Sequence, residues 1–344
     1  MKCPRCIKHS KNINLNDVRN SSDFVLKKGF FIRSSDGRKI QRYRCLKCDN
    51  QFSEATYDLC YHQKKRQINE SVFNLFSSAV SQNRMALLLK VNRKTVVRKF
   101  LFLGQLANQG LLNNLHLKSN LYQKMEFDDV ETFEHTKYKP LSITLAVESK
   151  TRFILGMTVS SMACKGPLAK ESLEIYGKRA DERSANRAKL FKQLKNNIHT
   201  KAIIKSDLNP HYDKDVKKYF PDSKYLQYKG RKGCVVGQGE IKAVKNDPLF
   251  SLNHTAAMLR ANLNRLFRRT WNTTKKADRL MYHLAIYSWY HNFKLILKKK
   301  KKLKNTHSKN KENSDQMGLK ITPYEKLMQV YEINMHLANL KQIS

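Results

Sequence analysis

Residues 125–136 read MEFDDVETFEHT, an apolar-alternating segment that ends in two adjacent carboxylates, Asp128 and Asp129. Alternation at a period of two is the pattern of a strand with one face in a core. The chain around it carries 67 Lys and Arg against 28 Asp and Glu, a formal charge of +39. Acid groups placed on a buried strand of so basic a protein point to a metal site that works on a polyanion.

Outward from this strand the pattern stays mixed. LSITLAVES (141–149) and RFILGMTVS (152–160) are further β-rich runs separated by short turns, which predicts a three-stranded antiparallel meander. A charged helix over 181–197 then leads to KAIIKSD, a short buried strand ending at Asp207. A helix over 213–219, a strand over 224–228, a Gly-rich basic loop (KGRKGCVVGQGEIK, 229–242) and long helices over 249–269 and 276–297 follow. The order β-β-β-α-β-α-β-α, with an acid on the first strand and another ending the fourth, describes an α/β, ribonuclease H-like core over 119–297.

Ahead of the core lie two smaller units. Cys3 and Cys6, then Cys45 and Cys48, form two CxxC pairs about 38 residues apart. That spacing brings four thiolates to one tetrahedral Zn2+, so residues 1–60 read as a zinc ribbon, with QRYRC and NQFSE as strands flanking the second pair. Cys60 reads as a packed thiol. Over 61–118 the period becomes helical. Val72, Phe73, Leu75, Phe76 and Val80 form one apolar face. Ser81 caps the next helix, with Ala86 and Leu89 inside, and a turn at Val91 and Asn92 leads to Thr95, Val96 and Val97. This pattern predicts a helix-turn-helix presenting Arg93, Lys94 and Arg98 to DNA, or else an ordinary helical hairpin with a solvated basic face. Residues 104–120 read as a linker helix and loop. The lysine block at 298–302 and 304 opens a basic tether over 298–318, and a C-terminal helix occupies 319–344.

Composition bounds the function classes. The charge makes nucleic acid the default partner. No run of about 18 apolar residues exists and the start lacks a signal pattern, which argues against a membrane protein. Seven cysteines, four of them in CxxC pairs, favour reduced thiols and metal over disulfides, hence a cytoplasmic, nucleoid-associated location.

CPRC with CLKC, the strand FDDVETF, the strand end KSDLNPHY and the helix NHTAAMLRANLNRLFRRTWNTTK resemble a prokaryotic insertion-sequence transposase of the DDE superfamily, of the compact kind with an N-terminal zinc ribbon. The resemblance implies that Asp128 and Asp207 are the first two ligands of catalytic Mg2+ or Mn2+. It places the third at the start of the long helix, seven residues before a basic residue that contacts DNA. Counting back from Arg260 gives Asn253, a departure from the acid usual there. Glu240, 33 residues after Asp207, ranks second, and Asp247 also competes. Arg260, Arg265, Arg268, Arg269 and Lys275, with Trp271 and Tyr282 interleaved, suit phosphate contact and stacking on DNA ends. Lys229 and Arg231 belong to the basic loop. His135 and His254 read as hydrogen-bonded structural residues.

The expected protein is a DNA transposase that binds the terminal inverted repeats of its element in double-stranded DNA, cuts the 3′ ends and joins them to target DNA. Synapsis of two ends requires at least a homodimer. The alternatives are a catalytically decayed zinc-dependent DNA-binding regulator and a structure-specific nuclease.

Overall fold

The computed structural model describes residues 2–9, 24–117, 121–229, 247–267, 272–296 and 321–341. The chain divides into two compact units, Met1–Glu70 with Met328–Ser344, and Ser71–Leu327.

The first unit is built on little apolar material. Helix α1 (Pro4–His9) follows Cys3, and three antiparallel strands follow in order: β1 (Val25–Ile32), β2 (Lys39–Cys45) and β3 (Gln51–Ser53). Strand β1 lies in the basic stretch between the two cysteine pairs, where no strand was expected. Its core is Cys3, Cys45 and Phe52, with Val25, Tyr43 and Tyr57 packed against them. Tyr43 stacks on Phe52 at 5.5 Å. A cluster this small needs a further cross-link to hold a fold.

Helix α2 (Asn69–Phe76) buries Val72, Phe73 and Phe76, as its period requires. Helix α3 (Gln82–Leu88) starts at Ser81, whose Oγ accepts from the Arg84 N–H at 3.3 Å. Lys90, at φ +49°, turns the chain. Helix α4 (Arg93–Leu112) then begins at Asn92, whose Oδ1 accepts from the Lys94 N–H at 2.8 Å. The inward residue of α3 is Met85 rather than Ala86 or Leu89, and Leu87 and Leu88 are exposed. Helix α4 also runs unbroken through Gly104 and Gly110, where a separate linker helix was expected. The reason is packing. A Cβ on Gly104 would sit 2.5 Å from Tyr282 Cβ, and one on Gly110 would sit 2.8 Å from Trp289 Cζ2. Both glycines let a second helix lie against α4.

The second unit is centred on a mixed five-stranded sheet in the order β6-β5-β4-β7-β8. Strands β4 (Tyr122–Phe133), β5 (Pro140–Glu148) and β6 (Ile154–Ser161) form the antiparallel meander read from the sequence. Helices α5 (Ala169–Tyr176) and α6 (Arg183–Leu194) cross over to β7 (Ile198–Asp207), which pairs with β4 in parallel. Helix α7 (Pro210–Tyr219) leads to β8 (Lys224–Tyr228), parallel to β7. Helices α8 (Phe250–Asn262) and α9 (Ala277–Tyr290) follow, α9 continuing as a wider turn over His291–Ile296. Helix α10 (Pro323–Lys341) is the last element.

Each face of the sheet has its own core. Met125, Phe127 and Ile204 pack with Leu190, Phe191 and Tyr212 of α6 and α7. Val130, Ile143 and Leu145 pack with Leu252, Leu259, Leu280 and Leu284 of α8 and α9. Helix α8 stops at Asn262, short of the expected 269, because Leu263 leaves helical geometry and a tight turn over Asn264–Leu266 follows. Among the described residues no helix is long and apolar enough to cross a membrane.

Candidate functional site

The thiols of Cys3, Cys6, Cys45 and Cys48 lie within 4.8 Å of one another. The Sγ separations are 3.6 Å for Cys3 and Cys48, 3.8 Å for Cys6 and Cys45, and 3.5 Å for Cys6 and Cys48. A tetrahedral zinc with bonds of about 2.3 Å to sulfur sets those edges at about 3.8 Å. The Cys45 N–H donates to Asn50 O at 3.0 Å, which folds the second pair into a tight knuckle. Burial pushes the Cys3 thiol up, but the Cys6 and Arg5 N–H groups and the neighbouring thiols more than offset this and bring it down to about 7. The donor set fits a structural metal such as zinc. Cys60 is packed instead, and accepts from Asn69 Nδ2 at 3.5 Å.

Asp128 and Asp207 belong to neighbouring parallel strands. Register pairs Glu126 of β4 with Lys205 of β7, and two residues further along each strand lie Asp128 and Asp207. Burial and then the Asp207 charge push the Asp128 carboxyl up to about 7. Asp207 is raised too, by burial and the charge of Asp129. Asp128 Oδ1 accepts from the Asp129 N–H at 2.7 Å and from the Tyr212 hydroxyl at 3.2 Å. Asp207 Oδ1 is buried and has no hydrogen-bond partner among the described residues. The turn after β7 is capped by Asn209, whose Oδ1 accepts from the His211 N–H, so Asp207 is not consumed as a turn residue. Two buried carboxylates in a cluster of acid charge, with an orphaned oxygen, fit a hard divalent cation, which prefers oxygen donors.

The adjacent acid, Asp129, has a different environment. Its Oδ1 accepts from Thr144 Oγ1 at 2.5 Å, and its Oδ2 lies 3.6 Å from Arg187 Nη1. Arg187 is buried, stacks over the Tyr212 ring at 4.7 Å and pairs with Asp215 at 2.6 Å. Strand alternation explains the split: Asp129 shares the face of Met125 and Phe127, and Asp128 shares that of Glu126 and Val130.

Among the described residues no third His, Cys, Asp or Glu completes a ligand group with Asp128 and Asp207. Asn253, at the end of the first turn of α8, donates through Nδ2 to Asp247 Oδ2 at 2.9 Å. Glu240 and Arg231 of the basic loop, Arg268, Arg269 and Trp271 beyond α8, and the lysine block lie outside the described residues.

Of the other basic residues, Arg93, Lys94 and Arg98 are exposed at the start of α4, and Lys229 is exposed after β8. Arg260 lines a cleft of about 440 Å³ with Val130, Thr132, Lys137 and Phe267. Two expectations change. Arg265 is half-buried, 5.4 Å over the Phe100 ring and bonded to Thr274, and Tyr282 packs on Gly104 instead of offering a stacking face. His135 and His254 are hydrogen-bonded as expected, to Lys275 and Arg152.

Sequence reasoning passed over Glu126, Tyr212 and Arg187. Glu126 carried a signal, being an acid two residues before Asp128 on one strand and so on its face. Tyr212 sat inside the quoted KSDLNPHY. Arg187 had none, since only the tertiary fold brings it between two acids.

Compared with known proteins, the chain matches no family model and no curated sequence.

Proposed function

We propose that this chain is a DNA transposase of the DDE type, with a ribonuclease H-like core, a zinc ribbon and a helix-turn-helix formed by α3 and α4. The observation that carries the reading is the pair Asp128 and Asp207 on adjacent parallel strands, both raised by burial and by neighbouring carboxylate charge, with one orphaned oxygen. The strand order β6-β5-β4-β7-β8, helices on both faces and the basic charge agree with it.

Asp128 and Asp207 would hold Mg2+ or Mn2+, which when bound supplies the Lewis acidity for attack of a hydroxyl on phosphorus. Tyr212 and the Asp129 N–H fix Asp128 Oδ1 and so orient its second oxygen. Arg187 pairs with Asp129 and so holds the residue next to Asp128 in place. The cleft lined by Arg260, Lys137 and Glu131 runs along the strand that carries Asp128, and its two cations would face a phosphodiester backbone. The zinc ribbon and the exposed Arg93, Lys94 and Arg98 would hold terminal repeats.

The test is Mg2+- or Mn2+-dependent cutting and joining of DNA that carries the ends flanking the gene. Wild type should cut at the element ends and Asp207→Asn should not. A second reading, a DNA-binding regulator without catalysis, is favoured by Asn253, whose amide is engaged with Asp247. Tight end binding with no cutting in either metal would select it.

A further inference from the structure

The β1–β2 hairpin is an unusual surface. Strand β1 is exposed over most of its length, and Leu26, Phe30 and Ile32 are 51%, 50% and 68% exposed. The stretch 24–45 carries seven Lys and Arg against one Asp. That Asp, Asp36, is paired with Arg33, and Arg44 is paired with Asp49. Lys27, Lys39 and Arg42 have no ion pair with a described carboxylate. Lys39 Nζ sits 3.7 Å over the Phe30 ring, and Arg42 lies 5.6 Å over Phe31.

A bulge distributes these groups. Gly29, at φ +65°, supplies the extra residue where the register shifts between Lys27 and Phe30. Before it Leu26 lies opposite Arg44; after it Phe30 lies opposite Gln41 and Ile32 opposite Lys39. Directly paired residues share a face, so the bulge turns Phe30 and Ile32 to the face opposite Leu26. Phe31 stays with Ile40 and Arg42. Each face of the ribbon therefore carries an aromatic ring beneath a cation.

We propose that this ribbon enters the major groove of duplex DNA with one face turned to each wall, Lys39 over Phe30 meeting one backbone and Arg42 over Phe31 the other. The groove admits a two-stranded ribbon. Net positive charge on both faces opposes pairing with a second copy and matches a polyanion. The inference rests on DNA being the substrate, and assigns the contact to the hairpin rather than to the cysteine knuckle.

Fluorescence anisotropy of the full chain with a 30-base-pair duplex tests it, as a function of salt. Neutralising Lys27, Lys39 and Arg42 to Gln should weaken binding at least 10-fold and flatten the salt dependence by about two to three counterions. Phe30→Ser should weaken it several-fold with an unchanged salt slope. A control with Lys192, Lys195 and Lys201 changed to Gln loses the same charge and should change binding less than 3-fold. Bound zinc, measured for every variant, verifies that the unit is folded. Equal losses in test and control, or no loss in the triple variant, would overturn the ribbon while leaving DNA cutting intact as a reading. Preference for single-stranded DNA, or self-association removed by Phe30→Ser, would also overturn it. No duplex binding by wild type would sink both proposals.

Discussion

Glu126 Oε2 accepts the backbone N–H of Leu252 at 2.9 Å, so a side chain of the central strand caps the helix α8. The residue at the cap position, Leu249, has no side-chain acceptor, and the first N–H groups of a helix need one. The Asp247 carboxylate meets the Leu249 N–H at 3.0 Å and the Asn253 amide at 2.9 Å. Glu126 thereby fixes the end of α8 that carries Asn253 against the strand that carries Asp128.

Glu126→Ala leaves the Leu252 N–H unsatisfied, a cost of about 1–3 kcal/mol. It should lower the melting temperature by a few degrees and slow DNA cutting at least 10-fold. Glu126→Gln keeps a carbonyl acceptor and should retain both. Equal activity of the Ala and Gln variants in a cutting assay would show that this tie does not matter.

Asp128 makes the metal-free protein less stable as pH rises. Its carboxyl is raised from 3.8 to about 7 in the fold. The folded state therefore holds a proton that the unfolded state has released, and stability is lost as pH climbs through about 7. Asp128→Asn removes this loss. In EDTA, its melting temperature should exceed that of wild type by a margin that grows from pH 4 to pH 8. Added Mg2+ should stabilise wild type and leave the variant unchanged. A margin independent of pH in thermal scans would contradict the assignment.

Chelation should unfold the first unit. Cys48→Ser leaves three thiolates, and the small core of Cys3, Cys45 and Phe52 cannot hold strands β1 to β3 alone. Wild type should contain one zinc per chain by metal analysis, and its four clustered thiols should react slowly with a thiol reagent until chelator is added. Fast reaction in the untreated protein would exclude a metal there.

The two helix glycines should differ in cost. Ala at either gains about 1 kcal/mol of helix propensity. At Gly104 the new methyl meets Tyr282 Cβ at 2.5 Å, fixed to the backbone of α9, whereas at Gly110 it meets the ring edge of Trp289, the far end of that side chain, at 2.8 Å. Gly104→Ala should therefore cost about 1–3 kcal/mol net and Gly110→Ala less. Urea melts of the two variants decide the order.

What the sequence made readable, and what it did not, divides along physical lines. Strands β4 to β8 and both aspartates were legible, because alternation and short apolar runs mark buried strands and an acid at a strand end stands out. The four clustered cysteines were legible from spacing. Strand β1 was hidden because LKKGFFI exposes most of its side chains and so has no burial period. The continuity of α4 was hidden because glycine normally weakens a helix, and only Tyr282 and Trp289 explain its presence. The roles of Arg187 and Glu126 depend on neighbours many residues away in the chain.

The position of β4 has a mechanical meaning. Hydrogen-bonded on both edges, in the middle of the five strands, it belongs to the part of the molecule that opens last. Asp128 therefore rides on a stiff beam, and Asp207 on its immediate neighbour. Asn253 rides on a helix that touches this beam through a single carboxylate cap and an apolar face. The two aspartates are thus held by hydrogen-bonded strand neighbours, and Asn253 by the cap and packing of one helix.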